Sequence, residues 1–247
     1  MSKLKNIDWF ESWFDTSYYH ILYKHRDFKE AEKFISNLLD YLNLPENANC
    51  LDLACGKGRH SLFLNKHGLN VTGVDLSKNS IENAKLLEKK GLKFDVHDMR
   101  KVYKENEYDV VFNLFTSFGY FDTNSDNLNV LNSVFKMVKQ NGVLVIDFMN
   151  VYNVVKNLVK SERKEVDGIN FNIERNFDGS HIHKVIRFKD KSKDFEYIER
   201  VQALYFSDFK ELLSKSGFLI KDVFGDFSLG KFDKENSKRL IIIAQKA

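Results

Sequence analysis

The stretch from Asn49 to His60, NCLDLACGKGRH, most constrains what this chain can fold into. An apolar run from Cys50 to Leu53 carries one acid, Asp52, and meets glycines at Gly56 and Gly58, after which helix-forming residues begin. This predicts a buried strand, a tight turn and a helix starting near Gly58. Glycine allows positive φ and lets a ligand approach the backbone with no Cβ in the way. The helix that follows offers unpaired N–H groups and a positive dipole end to an anionic group. A nicotinamide-dinucleotide fingerprint asks for G-x-G-x-x-G directly after the strand. Here the third position is Ser61, and an acid precedes the turn, where it suits a cationic ligand group such as an amino-acid ammonium.

From Cys50 onward, strand and helix patterns alternate. Strands are expected at Cys50–Leu53, at NVTGVD ending on Asp75, at Leu92–Asp98, at Tyr108–Phe115 and at Gly142–Met149. Helices are expected at Gly58–His67, at SKNSIENAKLLEKK with Ser77 as its cap, and at about Asp126–Lys139. Short, nearly continuous apolar strands between amphipathic helices predict a parallel sheet covered on both faces. Ligands of such sheets sit at the carboxyl ends of the strands, where the strand order switches. Upstream, DFKEAEKFISNLLDYLNL repeats apolar residues on one helical face and stops at Pro45. Before it lies an aromatic segment, WFESWFDTSYYHILYKHRD. It reads either as a packed amphipathic helix or as a lid with Tyr18, Tyr19, His20, Tyr23 and Arg26 facing a ligand. Residues 162–204 alternate with period two between turn signals, which predicts antiparallel strands. A helix at Ser207–Gly217 and strands at 218–225 and 238–246 close the chain. The expected division is a helical lid segment at 1–47, a ligand-binding core at 48–150, an antiparallel insertion at 151–206 and a closing helix and hairpin at 207–247.

The chain has 247 residues, enough for one α/β domain with an insertion. Its net charge of +3 is too balanced to argue for a nucleic-acid or membrane partner. Cys50 and Cys55 would lie roughly 16 Å apart along an extended strand, too far for a disulfide. Reduced thiols and the lack of an apolar leader in MSKLKNIDWFESWFD point to the cytoplasm. Oligomeric state does not follow from the sequence.

Four groups carry candidate chemistry. Asp52 with Ala54, Gly56 and Gly58 forms the turn. Asp75, 17 residues after Gly58, ends a strand where an acid can accept both hydroxyls of a ribose. Asp98 and Met99 stand where an acid can accept from an exocyclic amine and a thioether can pack on a ring. Asn113-Leu-Phe-Thr-Ser-Phe-Gly-Tyr120 runs off the fourth strand at the same edge, with Asp147 and Asn150 off the fifth. His181-x-His183 has a spacing seen in metal sites but no supporting ligand cluster in sequence, so no metal is expected. There is no P-loop and no nucleophile elbow.

DLACGKGRH, with VTGVDLS, HDM and NLFTSFGYF, resembles the class I S-adenosylmethionine-dependent methyltransferases. The resemblance implies a Rossmann-like doubly wound sheet of seven strands, the last antiparallel, with an inserted antiparallel β subdomain. The family's motif is acid-x-Gly-x-Gly-x-Gly, and here Ala54 stands for the first glycine. It implies that Asp52 and the backbone of Ala54, Gly56 and Gly58 hold the methionine end of S-adenosyl-L-methionine. Asp75 would hold the ribose, with Leu76 against the adenine. Asp98 and Met99 would hold the adenine, and Asn113 would lie near the methyl group. Tyr23 and Arg26 would act from the lid. The acceptor would be a small molecule methylated at N or O, with His20, Tyr120 and Asp147 as candidate bases. The segments FDTSYYHILYKHRD and FGDFSL with SKRLI resemble those of bacterial family members of unsettled substrate. A nicotinamide-dependent oxidoreductase and a non-catalytic S-adenosylmethionine-binding module are the alternatives.

Overall fold

A computed structural model describes residues 9–24, 28–121 and 123–246; the lid candidate Arg26 lies outside them. Two short helices come first, α1 (Trp9–Phe14) and α2 (Ser17–Leu22). They break at Asp15-Thr16 because the Thr16 hydroxyl accepts from Tyr19 N and caps the second. Helix α3 (Phe28–Leu42) buries Ala31, Phe34, Ile35 and Leu38, the one-faced period read from the sequence. It ends at Asn43, whose φ of 45° takes the left-handed cap conformation two residues before Pro45.

Next come β1 (Asn49–Leu53), α4 (Arg59–Lys66), β2 (Asn70–Asp75), α5 (Lys78–Lys85), β3 (Leu92–Val96), β4 (Tyr108–Asn113), α6 (Asn124–Met137), β5 (Val138–Met149) and α7 (Val151–Lys156). Four antiparallel strands follow, β6 (Ser161–Val166), β7 (Ile169–Phe177), β8 (His181–Asp190) and β9 (Lys193–Gln202). Helix α8 (Phe206–Lys215) and strands β10 (Phe218–Phe224) and β11 (Arg239–Lys246) complete the chain. Helix α5 is shorter than its pattern: Leu86, Leu87 and Glu88 turn away through i→i+3 bonds, and the Glu88 carboxylate accepts from Phe94 N.

The seven-stranded sheet has the order β10-β11-β5-β4-β1-β2-β3, and β11 runs antiparallel to both of its neighbours. The order switches between β1 and β4, and the registers bring Leu53, Asp75 and Asn113 to one carboxyl edge. Pairing of Arg239 with Met149 brings the start of β11 to that edge as well.

The chain divides into two compact units. The core unit takes Asp27–Lys156 and Leu204–Ala247, and the insertion unit takes Met1–Arg26 with Asn157–Ala203. The segment expected as one lid, 1–47, is therefore split: α3 packs in the core unit, and α1 and α2 belong with the antiparallel sheet. In the core unit Phe34 and Leu38 of α3 and Phe63 and Leu64 of α4 pack with Cys50, Val110, Phe112, Val145 and Ile241 of the sheet. Cys50 and Cys55 are both free, and burial pushes their thiols well above the usual range.

In the insertion unit Trp13 and Leu22 pack with Phe171, Ile173, Ile186 and Phe188, so the aromatic segment covers the four-stranded sheet of its own unit. Glu199 ties it down, accepting from Trp13 Nε1 at 2.8 Å and from the Tyr23 hydroxyl at 2.7 Å. Among the described residues no helix is long and apolar enough to cross a membrane.

Candidate active site

The turn after β1 forms as its residues demand. Ala54, Gly56 and Gly58 all have left-handed φ, at 64°, 56° and 78°. Gly58 caps α4 without a side-chain bond. A Cβ on Gly58 would fall 2.5 Å from the Phe94 ring, so close packing also requires glycine there. Asp52 is buried, and its carboxylate accepts from the Ser61 hydroxyl at 2.5 Å. Burial pushes its pKa up to about 6; the Ser61 hydroxyl opposes this and the charge of Asp75 adds to it.

Asp75 spans two elements. One oxygen accepts from Gly56 N and the other from Ser77 N, each at 2.8 Å. Ser77 in turn caps α5 through Ser80 N, as its position predicts. Leu76 and Met99 are half-buried. Asp98 is gripped by the Arg100 guanidinium through two bonds of 3.0 and 2.9 Å and by Arg100 N. Burial raises its pKa, but the Arg100 bonds and charge outweigh that and hold it below the usual carboxylate range.

At the exit of β4, Asn113 is buried, and its Nδ2 donates to Leu53 O at 3.1 Å. A carbonyl can only accept, so the amide orientation is set. Its Oδ1 is buried with no protein partner and can take only a donor. Phe115 and Thr116 follow, both left-handed, with φ of 62° and 60°. For a phenylalanine and a β-branched threonine this costs about 1–3 kcal/mol each and needs surrounding structure to enforce it.

Asp147 supplies that structure. It is buried, accepts from Phe115 N at 2.9 Å and from Arg239 Nε at 2.7 Å, and its carbonyl accepts from Thr116 N. Both carboxylate oxygens are thus engaged, which suits holding the turn better than abstracting a proton. Tyr120 is half-buried just beyond the turn. Asn150 turns away from ligand work: its Nδ2 donates to the carbonyls of Lys234 and Ser237. Beside the turn, a cleft of about 220 Å³, open solvent included, is lined by Phe34, Arg59, His60, Phe115, Asp147 and Phe227, among others. Sequence reasoning missed Arg239 and Phe227, although both stand in the FGDFSL and SKRLI segments.

His20 and Tyr23 lie in the insertion unit, where the Tyr23 hydroxyl bonds Glu199 and also meets Lys184 Nζ. His183 Nε2 lies 2.7 Å from Asp178, an acid that the sequence reading overlooked beside the two histidines. Among the described residues no group of three or more metal-ligating side chains is gathered.

Residues 44–215 match a family described as a methyltransferase domain. YqeM of Bacillus subtilis, named as a methyltransferase, is 28% identical over 244 residues, covering 94% of this chain and 95% of that protein. Among solved structures, an S-adenosylmethionine-dependent methyltransferase from Clostridium acetobutylicum has a TM-score of 0.78 at 22% identity, covering 92% of this chain and 95% of that one. The sugar N-methyltransferase KedS8 from a Streptoalloteichus species has a TM-score of 0.73 at 18% identity, covering 92% of each chain.

Proposed function

The chain belongs to the class I S-adenosylmethionine-dependent methyltransferases, and we propose that it methylates a small-molecule acceptor at nitrogen or oxygen. Membership sets aside the nicotinamide-dependent oxidoreductase that the strand, turn and helix alone leave open.

The observation that carries the cofactor reading is the orphaned Asn113 Oδ1. It lies on the carboxyl edge with buried Asp52, the glycine turn and Asp75. A buried acceptor without a partner costs stability unless a ligand donor meets it. The methionine ammonium of S-adenosylmethionine is such a donor, and Asp52 supplies a counter-charge. On this reading Ala54, Gly56 and Gly58 offer backbone to the methionine end, and Asp75 accepts from the ribose hydroxyls. Leu76 and Met99 flank the adenine, and Asp98, oriented by Arg100, accepts from its amine. The family resemblance implies lid roles for Tyr23 and Arg26.

When bound, the sulfonium supplies an already activated methyl group. The work left to the chain is to align the acceptor in line with that methyl and to exclude water. An amine acceptor that loses its proton before attack needs no strong base. For a hydroxyl acceptor, Tyr120 is a stronger candidate than Asp147, both of whose oxygens are taken. The small-molecule acceptor is supported by KedS8, which is named a sugar N-methyltransferase and whose fold this chain shares.

The test is formation of S-adenosylhomocysteine with panels of amines, amino sugars, phenols and carboxylates, alongside transfer RNA and peptides. Turnover confined to one small-molecule class supports the proposal. Turnover with RNA or peptide alone, or none in any panel from protein that binds S-adenosylmethionine, would contradict it.

A further inference from the structure

The segments FGDFSL, Phe224–Leu229, and SKRLI, Ser237–Ile241, have no part in the cofactor reading, yet in the core unit they build a single frame. Gly225 N donates to Gly230 O at 2.7 Å, and Arg239 N donates to Gly225 O at 2.9 Å, closing the neck of the loop between β10 and β11. A Cβ on Gly225 would fall 2.0 Å from Ser237 Oγ. Asp226 accepts from Ser228 N and Gly230 N, and Ser237 Oγ accepts from Asp233 N. The Phe227 ring lies 4.5 Å from Phe34, and its carbonyl accepts from Asn37 Nδ2. The Arg239 guanidinium sits over that ring at 5.5 Å.

The frame presents Arg239 to two partners on other elements. Nε donates to Asp147 at 2.7 Å, and Nη2 donates to the Thr116 hydroxyl at 2.9 Å. Asp147 holds Phe115 N through its carboxylate and Thr116 N through its carbonyl. A turn needed only for stability would carry glycine or asparagine at left-handed positions; here phenylalanine and threonine are forced into them. Strain of this kind collects at functional sites when surrounding groups enforce it. An arginine can reach an acid and a hydroxyl at once, and a lysine cannot reproduce that fork.

We infer that Arg239 is a positioning residue for methyl transfer: through Asp147 and Thr116 it clamps the Phe115–Thr116 turn against the methyl end of the cofactor. The inference rests on the cofactor reading above, which sets Asn113, two residues before that turn, against the methionine end.

The test titrates S-adenosylmethionine and S-adenosylhomocysteine calorimetrically into the parent protein, Arg239→Lys, Thr116→Gly and the double variant, with melting temperatures recorded. The two ligands differ only in the methyl and its charge, so their affinity ratio reports the fit at that end. Thr116→Gly relieves the left-handed penalty and is expected to melt no lower than the parent. Its affinity ratio shifts about fivefold, one hydrogen bond's worth. Arg239→Lys shifts the ratio the same way, and the double variant shifts it no further than the larger single effect, because both act through one turn. Unchanged ratios in variants of a parent that binds both ligands would overturn the inference, as would ratio changes that follow melting temperature alone. A parent that binds neither ligand would overturn the cofactor reading itself, and the inference with it.

Discussion

Gly56 N donates to Asp75 Oδ2 across 2.8 Å, joining the turn after β1 to the acid that ends β2. The residue assigned to the ribose therefore also shapes the turn assigned to the methionine end. Asp75→Ala is expected to weaken S-adenosylmethionine binding by about 1–3 kcal/mol, since ribose hydroxyls and two backbone N–H groups lose their acceptor together. Asp75→Asn keeps one acceptor oxygen and is expected to fall between. Calorimetry reads both, and unchanged affinity in Asp75→Ala would contradict the ribose assignment.

Asp52 makes stability and binding depend on pH. Its folded pKa is raised from 3.8 to about 6, so folding favours the protonated acid. That contribution, about 3 kcal/mol, is fully present below pH 3.8 and is lost as pH rises through about 6. Asp52→Asn should therefore match the parent in urea denaturation near pH 4 and exceed it at pH 7. An ammonium brought beside Asp52 favours the ionised form, so cofactor binding near pH 6 should release protons, seen as buffer-dependent heats that vanish in Asp52→Asn. Equal parent and variant stabilities at pH 7 would contradict this account.

Gly58 is expected to tolerate no side chain. In Gly58→Ala the new Cβ meets the Phe94 ring in a left-handed backbone. The cost is about 1–3 kcal/mol of stability, with a matching loss of cofactor affinity as the first amides of α4 move. Urea midpoints and calorimetry check both parts.

In the insertion unit Glu199 gathers Trp13 Nε1, the Tyr23 hydroxyl and, at 3.4 Å, Lys184 Nζ. Glu199→Ala removes the acceptor that these donors share and is expected to cost about 3 kcal/mol. Trp13, now fully buried, should redden in fluorescence as the aromatic segment loosens. An unshifted spectrum would argue that apolar packing alone holds the segment.

The local patterns were legible in the sequence. The strand carrying Asp52, the glycine turn, the strand ending on Asp75 and the closing hairpin stand within a residue or two of where spacing puts them, because each is set by near neighbours. Much of what was not legible depends on partners far apart in the chain. Arg239 meets Asp147 across 92 positions and Thr116 across 123, and only the antiparallel register of β11 against β5 brings them together. The grouping of the aromatic N-terminal segment with the inserted sheet likewise rests on Tyr23 and Glu199, 176 positions apart. Asp98 was legible as an acid at the edge, but not its grip by Arg100, which leaves fewer of its lone pairs for a ligand.

The most direct test of the account is calorimetric titration of the unmodified protein with S-adenosylmethionine and S-adenosylhomocysteine, with NADH as control. Dissociation constants on the order of micromolar are expected for the first two, and no heat with NADH. Binding of NADH without either of the others would contradict the assignment of Asp52 and Asn113 to the methionine end, leaving only the fold.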